Sequence, residues 1–297
     1  MKQKERAVFA SKLGIVLATA GSAVGLGNVW RFPTMTGQNG GASFLLIYVA
    51  CILLLGLPCM LNEFIIGRRA QANAARAYER LANGTPWRFI GYFGVFTGFL
   101  IAGYYVVVSG WCLQYLFSAA TNSMHGDTAY FANFFTEFSG SAWQPVIWIV
   151  AIIAVSHYVI IHGVRNGIER ASKIFMPVLF ILLLIIVVAA CMLPGAGKGI
   201  AFIFKPDFSK VSSDVFLSAL GQSFYSMSIA MGAICTYASY YSRQTNLGKS
   251  AIQIGTIDTL IAILAGLMIF PAAASVGVSA DSGPSLIFIT LPNVFSQ

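Results

Sequence analysis

The stretch GSAVGLGNVWRFP, residues Gly21 to Pro33, combines features that do not belong together in an ordinary helix. It ends the first apolar run of the chain, yet it holds glycines at positions 25 and 27 and the polar side chains of Asn28 and Arg31. Glycine weakens a helix because it gains more backbone freedom than other residues when the helix unwinds. The stretch therefore predicts a helix that breaks in its middle and frees main-chain N–H and C=O groups at the break.

The whole chain has the composition of a membrane protein. Of its 297 residues 57% are hydrophobic and 9% are charged, and the mean hydropathy is +0.76. A soluble domain carries about 25% charged residues. Seven apolar runs approach or exceed the roughly 20 helical residues that cross a bilayer core. They cover residues 11–37, 42–66, 89–120, 143–161, 167–193, 214–241 and 250–277. This pattern predicts an all-α protein that crosses the membrane several times.

The distribution of basic residues predicts the orientation of the spans. Lys and Arg precede the first span and follow the second, fourth and sixth, whereas residues 121–141 and 278–297 contain neither. The positive-inside rule places the basic segments in the cytoplasm. The loop 194–213 is external by alternation although it holds three lysines. The formal net charge of +8 would suit nucleic acid, but the basic residues lie in short loops between apolar runs, so we expect no such partner.

The N-terminus also has some features of a cleaved signal sequence, with basic residues, an apolar run and small residues up to Ala20. The run continues apolar to Trp30, however, as is expected of a span that is retained. We therefore expect a multi-pass protein of the cell membrane whose N-terminus is cytoplasmic.

The sixth apolar run repeats the interruption of the first. Within ALGQSFYSMSIAMGAICTYASY it carries Gln222, Ser223, Ser226, Ser228 and Gly232. Simpler explanations exist, since Gly21 and Gly25 form a GxxxG helix-packing motif and a single serine can bond to its own helix. Non-helical backbone at membrane depth is tolerated, however, where it is buried in protein or lines a cavity. Two interrupted helices in corresponding places indicate the binding site of a secondary transporter.

Several motifs closely resemble those of the neurotransmitter:sodium symporter family, in its bacterial LeuT-like amino-acid branch. They include SAVGLGNVWRFP, NGGASFLLIY, GLPCMLNEFIIGR, IAGYYVVVSGW, NGIERASKIFMP, GQSFYSMSIAMGAICTYASY and FITLPNVFSQ. The resemblance extends from about Arg6 to the last residue. It implies a LeuT-type fold of two five-helix inverted repeats, with helices 1 and 6 interrupted, and Na⁺-driven uptake of an amino acid by alternating access.

On this basis the chain divides into five parts. They are a cytoplasmic N-terminus (1–10), the first five-helix repeat with helices 1 to 5 (11–193), an external loop (194–213), helices 6 and 7 of the second repeat (214–277) and a final external segment (278–297). Members of the family continue for about five more helices, so we expect either a longer natural protein or an inactive fragment.

The resemblance also implies the residues of the site, with one or two Na⁺ ions and no organic cofactor. The first Na⁺ would be bound by Ala23, Asn28, Ser226 and Asp258, and a second, partial site would use Gly21 and Val24. The substrate-binding residues would be Ala23, Leu26, Gly27, Ile101, Tyr105, Tyr225, Ser226, Ser228 and Met231. The gating residues would be Arg6, Phe9, Arg31, Glu63 and Gln222.

Three positions refine these expectations. Glu63 would cap the unwound part of the sixth span, although a carboxylate one turn from Arg68 could instead extend toward the membrane surface. Asp258 stands where related members commonly have asparagine, and an added negative ligand predicts transport that is independent of chloride. Met231 is flexible and stands where LeuT has phenylalanine, which predicts a roomier pocket and an apolar or aromatic amino acid as the substrate.

Other classes of protein fit less well. An enzyme would need a nucleophile with a base or a metal cluster, and His125, His157 and His162 have no Cys or carboxylate partner at ligand spacing. The five cysteines are single, so neither a disulfide framework nor a zinc site is indicated. A channel would show a filter loop or a ring of charges. A membrane sensor that binds an amino acid without transporting it remains an alternative, and the oligomeric state is open.

Overall fold

The structure is a computed structural model that describes residues 9, 11–124, 126, 128–276 and 286–292. Within these residues the regular structure is helical and no strand occurs. Five described stretches are long and apolar enough to cross a membrane: Ala42–Ala70, Pro86–Ala120, Gln144–Ile161, Val164–Cys191 and Leu247–Ser275. The prediction of an all-α chain with several spans is confirmed.

The first span consists of two helical halves that meet at an angle. Its pieces are α1 (Lys12–Ala23), a π-helical turn (Gly27–Arg31) and α2 (Phe32–Gln38). Ser11 caps α1, because its hydroxyl accepts a hydrogen bond from the Gly14 N–H at 2.9 Å. The two halves are bent by 51°. The interruption predicted at the glycines is therefore present.

The next helices surround this span. They are α3 (Ala42–Cys51), a π-helical turn (Ile52–Gly56), α4 (Leu57–Ala70), α5 (Ala74–Leu81), a 3₁₀ turn (Pro86–Arg88), α6 (Phe89–Ala120), α7 (Thr128–Gly140), α8 (Gln144–Ile161), a π-helical turn (Val164–Glu169) and α9 (Arg170–Cys191). Helix α7 lies in a segment expected only as an external loop. It forms because the segment buries Phe131 and Phe138.

The predicted loop 194–213 also contains structure. It holds α10 (Ala196–Phe204) and a 3₁₀ turn (Phe208–Lys210). Helix α10 packs closely on the seventh span, since a Cβ at Gly199 would lie 2.3 Å from the backbone of Phe270. Ile203 is buried in the same contact region. A short helix whose packing partner lies about 70 residues away gives no clear local pattern.

The sixth span differs most from a simple helix. The predicted span 214–241 consists of α11 (Ser213–Ser226) and the short α12 (Ala233–Ala238), joined by residues 227–232, which are not helical. Neither piece is long enough to cross a membrane alone. The described chain then forms α13 (Leu247–Val276) and a π-helical turn (Leu286–Thr290).

Burial shows which helices are central. In the most apolar window of α13, 61% of residues are buried, whereas none is buried in α8. Helix α13 packs against α1, α9 and α10. Large apolar side chains such as Phe99 (72% exposed) and Phe175 (67% exposed) lie on the outside of the protein, as suits contact with lipid tails. The seventh span therefore lies in the middle of the described helices and directly beside the broken first span.

Candidate functional site

The end of α1 supplies free main-chain oxygens at the first break. Val24 leaves the helix in an extended conformation (φ −78°, ψ 117°), and its N–H donates to the Ala20 carbonyl at 2.7 Å. The last four carbonyls of a helix lack partners within that helix. The Ser22 carbonyl accepts a hydrogen bond from the Ser228 hydroxyl at 2.9 Å. This bond connects the break in the first span with the break in the sixth. The remaining carbonyls form the negative end of the α1 dipole and suit a cation.

The second break is held in an unusual backbone conformation. Ser228, Ala230 and Gly232 adopt positive φ angles of 53°, 64° and 72°. Residues with a side chain adopt this region only when their surroundings enforce it. The Glu63 carboxylate of α4 supplies one constraint, since it accepts hydrogen bonds from the N–H groups of Ala230 (2.6 Å) and Cys235 (3.2 Å). Glu63 therefore spans the unwound segment and the first turn of α12.

A buried polar cluster lies between the first, sixth and seventh spans. The Ser226 hydroxyl donates to the carboxylate of Asp258, with distances of 2.9 and 2.8 Å to its two oxygens. The Asn28 amide donates to an Asp258 oxygen at 2.8 Å and to the Ser226 hydroxyl at 3.1 Å. The Asn28 oxygen accepts from the Gly25 N–H at 3.1 Å. All three side chains are essentially inaccessible to solvent (0–1%).

The charge of this cluster is not balanced by its hydrogen-bond partners. The Asp258 side chain is bonded to Asn28, Ser226 and the Tyr48 hydroxyl, all of which are neutral groups. Buried charges in proteins are usually paired with an opposite charge or bind a metal ion. The oxygens of Asp258 and Ser226, beside the carbonyl end of α1, are hard ligands of the kind that an alkali cation takes, whereas the Asn28 oxygen faces the Gly25 N–H. The cluster therefore fits a small cation such as Na⁺.

Aromatic and polar side chains flank the first break on its other side. A Cβ at Gly27 would lie 3.3 Å from the Tyr225 ring and 3.6 Å from the Tyr105 hydroxyl, so glycine allows both tyrosines to approach the backbone. Gln222 donates to the Gly27 carbonyl at 3.0 Å and accepts a hydrogen bond from Arg31. The Arg31 guanidinium lies over the Tyr225 ring, 4.6 Å from its centroid.

A cavity of about 470 Å³ lies beside Arg31 and Tyr225. It is lined by Trp30, Arg31, Thr34, Met35, Leu100, Ile101, Tyr104 and Tyr225. Arg31 and Tyr225 line the cavity, and the Tyr225 ring also lies beside the Gly27 backbone. A volume of this size accommodates a small organic molecule.

A family model and sequence relatives agree with this geometry. The model of the sodium:neurotransmitter symporter family matches residues 6–138 and 128–297. The chain belongs to the sodium:neurotransmitter symporter family. It is 38% identical over its whole length to YhdH of Bacillus subtilis (strain 168), an uncharacterized sodium-dependent transporter, of which it covers 66%. It is 28% identical to the sodium- and chloride-dependent taurine transporter of Bos taurus, of which it covers 56%.

A solved structure has the same fold as the chain. The crystal structure of MhsT in complex with L-phenylalanine matches 98% of the chain with a TM-score of 0.93 and 44% sequence identity. The chain covers 67% of that structure. The LeuT-type fold predicted from the resemblance is confirmed. The chain thus spans about two thirds of the length of YhdH and of MhsT.

The substrate-binding residues that we predicted from the resemblance do not all lie together in the structure. Ile101, Tyr105 and Tyr225 lie around the cavity and the Gly27 backbone. Met231 turns its carbonyl toward α6, where a Cβ at Gly98 would lie 3.0 Å away, and it does not line the cavity. Leu26 packs with an aromatic cluster around Tyr115 and Phe288.

The other predicted ion and inner-gate residues lie at the C-terminal end of α1 or before its first residue. Gly21 and Val24 lie at its C-terminal end, where Gly21 faces Ser172 and Met176 of α9. Phe9 stacks near Tyr237 with its ring centroid 6.4 Å away, and its N–H donates to the Tyr240 carbonyl at 3.3 Å. Arg6 and His125 lie outside the described residues.

The sequence analysis missed Tyr48 and the pair Thr19 and Tyr241. Tyr48 of α3 is fully buried, and its hydroxyl donates to Ser226 at 3.3 Å and to Asp258 at 3.4 Å. The hydroxyls of Thr19 and Tyr241 are 2.7 Å apart and also buried. A single hydroxyl in an apolar run leaves no periodic signal that would distinguish it from a packing residue.

Proposed function

We propose that the chain carries the ion and substrate sites of a sodium-coupled symporter that takes up an amino acid by alternating access across the cell membrane. The observation that carries this proposal is the buried Asn28, Ser226 and Asp258 cluster, which joins the broken first span to the sixth and seventh. A carboxylate with neutral partners in such a place suits an ion that enters and leaves.

Sodium binding would complete the cluster. Asp258 would supply the negative charge, Ser226 a neutral oxygen, and Asn28 another after its amide turns over from the orientation in which its N–H groups face Asp258. The Ala23 carbonyl would extend from the end of α1. Because these groups come from three spans, an ion bound there favours the arrangement in which the spans are together. Gly21 and Val24 would contribute carbonyls to a second, partial site. Each Na⁺ that enters a cell at 100 mV adds about 2.3 kcal/mol of driving force.

The substrate would lie at the break itself, beside this ion. A carboxylate would be bound by the backbone N–H groups of Leu26 and Gly27, with the Tyr105 hydroxyl, which is hydrogen-bonded to the Gly27 backbone, as a further donor. An ammonium group is favoured by carbonyls at Ala23, Tyr225 and Ser228. Ile101, Met231 and the two tyrosines would surround the side chain, and Ser226 would serve both ion and substrate.

An apolar or aromatic amino acid is the substrate class that we propose. Support comes from Ile101 and Tyr225, which line the neighbouring cavity, and from MhsT, whose structure holds L-phenylalanine. Competition by glycine and alanine, without competition by tryptophan, tyrosine or leucine, would contradict this choice.

Access would be controlled on both sides of the site. On one side Arg31 and Gln222 bridge from Tyr225 to the Gly27 carbonyl, so they cover the break. On the other side Phe9 packs among three tyrosines. Arg6, which precedes Phe9 in the sequence, would be the second residue of this gate. Glu63 would hold the second break while either side opens.

The first experiment measures binding of labelled amino acids to the purified chain in Na⁺ and in K⁺. We expect saturable binding in Na⁺ only. Asp258→Ala should weaken the apparent Na⁺ affinity more than about 10-fold, because a buried charge that pairs with the ion is lost. Asp214→Ala, at an exposed carboxylate in the first turn of α11, is the matched control. Equal behaviour of the two folded variants would contradict the proposal.

Chloride independence is tested in the same assay and in vesicles. The Asp258 carboxylate supplies a fixed negative charge beside the proposed ion, so a mobile anion is not needed there. Replacing chloride with gluconate should leave Na⁺-dependent binding and uptake unchanged. Loss of activity in gluconate would show that Asp258 does not take this role. Counterflow in vesicles separates transport from binding alone.

A further inference from the structure

Glu169 is a buried carboxylate that the proposed function does not use. It ends the π-helical turn Val164–Glu169, directly before α9, and is 1% exposed. Its Oε1 atom accepts a hydrogen bond from the Lys173 ammonium at 2.7 Å, one turn further along. Lys173 itself is partly exposed, so the pair extends from the protein interior toward the basic, cytoplasmic side of the predicted topology.

The same carboxylate contacts the first turn of α1. The Ser11 hydroxyl donates to Glu169 Oε1 at 3.3 Å, while it also accepts the Gly14 N–H and so caps the helix. A Cβ at Gly14 would lie 2.0 Å from Oε1, so only glycine leaves room for the carboxylate here. A negative charge at the N-terminus of a helix is favourable because of the helix dipole. The Ser11 hydroxyl, the space left by Gly14 and the positive end of the α1 dipole therefore all meet the Glu169 carboxylate.

The contact continues along both helices toward the ion site. Gly21, two turns further along α1, faces the Ser172 hydroxyl and Met176, with Cβ distances of 3.5 and 3.6 Å. Glycine at both positions allows α1 to lie closely against α9. The carbonyl of Gly21 belongs to the proposed second sodium site, so the position of α1 on α9 also places that oxygen.

We propose that Glu169 is a positioning residue that holds the cytoplasmic half of α1 against α9. This inference rests on the proposed function only for its consequence, namely that the ion sites at the end of α1 are assembled when the contact is made. Loss of the contact lowers the population of the assembled state and therefore the apparent affinity for Na⁺.

The test measures the separation of the two helices directly. Spin labels at Leu13→Cys and Phe175→Cys, both at exposed positions (62% and 67%), report the distance between α1 and α9 in the full 297-residue chain with its native cysteines replaced by alanine. Glu169→Gln should shift the distribution to longer distances. Gly14→Ala should do the same although it retains the charge, because the added methyl group overlaps the carboxylate.

The two substitutions should not be additive, since both remove the same contact. Glu79→Gln, at an exposed carboxylate of α5, should leave the distances unchanged. Gly14→Ala favours helix formation in itself, so a longer distance in that variant cannot be ascribed to a weaker helix. Unchanged distances in both folded variants would overturn the proposal.

A second readout separates positioning from a general loss of structure. Glu169→Gln should raise the Na⁺ concentration for half-maximal substrate binding about 3- to 10-fold. Substrate affinity at saturating Na⁺ should stay unchanged. A fall in substrate affinity at every Na⁺ concentration would overturn the proposal. Longer distances in a chain whose wild type needs no Na⁺ would support the role of Glu169 and contradict the proposed function.

Discussion

At the scale of single residues, the hydroxyls of Thr19 and Tyr241 give the most direct prediction. They are 2.7 Å apart, buried, and join α1 to the segment that follows α12. Tyr241→Phe leaves the Thr19 hydroxyl without this partner. We expect a loss of about 1–2 kcal/mol in the free energy of unfolding. The Thr19 hydroxyl would be removed from water on folding without forming a hydrogen bond that offsets this cost. Denaturant unfolding of the purified chain measures it.

The matched controls use the same chemistry in other places. Tyr92→Phe removes the hydroxyl of a half-exposed tyrosine on α6 and should leave stability unchanged (49% exposed). Combining Thr19→Val with Tyr241→Phe should recover part of the loss, since replacing both partners by apolar groups is nearly neutral. Equal losses for Tyr92→Phe and Tyr241→Phe would contradict this account of the pair.

At the scale of helices, the break in the first span depends on the close approach of its neighbours. Gly27→Ala would place a methyl group 3.3 Å from the Tyr225 ring and 3.6 Å from the Tyr105 hydroxyl. Overpacking of this kind costs about 1–3 kcal/mol, so substrate affinity should fall by about 5- to 150-fold. Equilibrium binding measures it. Gly103→Ala, on α6 with no atom within 4 Å of its Cβ, is the control, and an effect of similar size there would exclude this explanation.

The helices show how far a local pattern predicts this structure. Glycines and polar residues inside apolar runs predicted both breaks, because the cost of unwinding is set by the residues themselves. The length of the second break was not predicted, since its left-handed residues are held by Glu63 from another helix. Helices α7 and α10 were also missed as elements, because they form by packing on distant partners.

At the scale of the whole molecule, the candidate site is assembled over long stretches of sequence. Asn28 and Asp258 are 230 positions apart, and Ser11 and Glu169 are 158 apart. No periodicity connects such pairs, so the sequence indicated Asp258 only through the resemblance to the symporter family, and it did not indicate Glu169 or Tyr48 at all. The central position of α13 explains this, since it brings the ion ligands together across the fold.

The charges of the loops predict the orientation of the molecule in the membrane, which can be tested with a matched pair of substitutions. Glu79 on α5 and Glu137 on α7 are both exposed carboxylates on short helices between spans. Helix α5 lies among five arginines (Arg68, Arg69, Arg76, Arg80 and Arg88), whereas residues 121–141 around α7 have no Lys or Arg. From the positive-inside rule we therefore predict that α5 is cytoplasmic and α7 external. In a cysteine-free background, a membrane-impermeant maleimide should label Glu137→Cys in intact cells and Glu79→Cys only after the membrane is opened. The reverse pattern would invert the topology and, with it, the sides to which we assign the two gates.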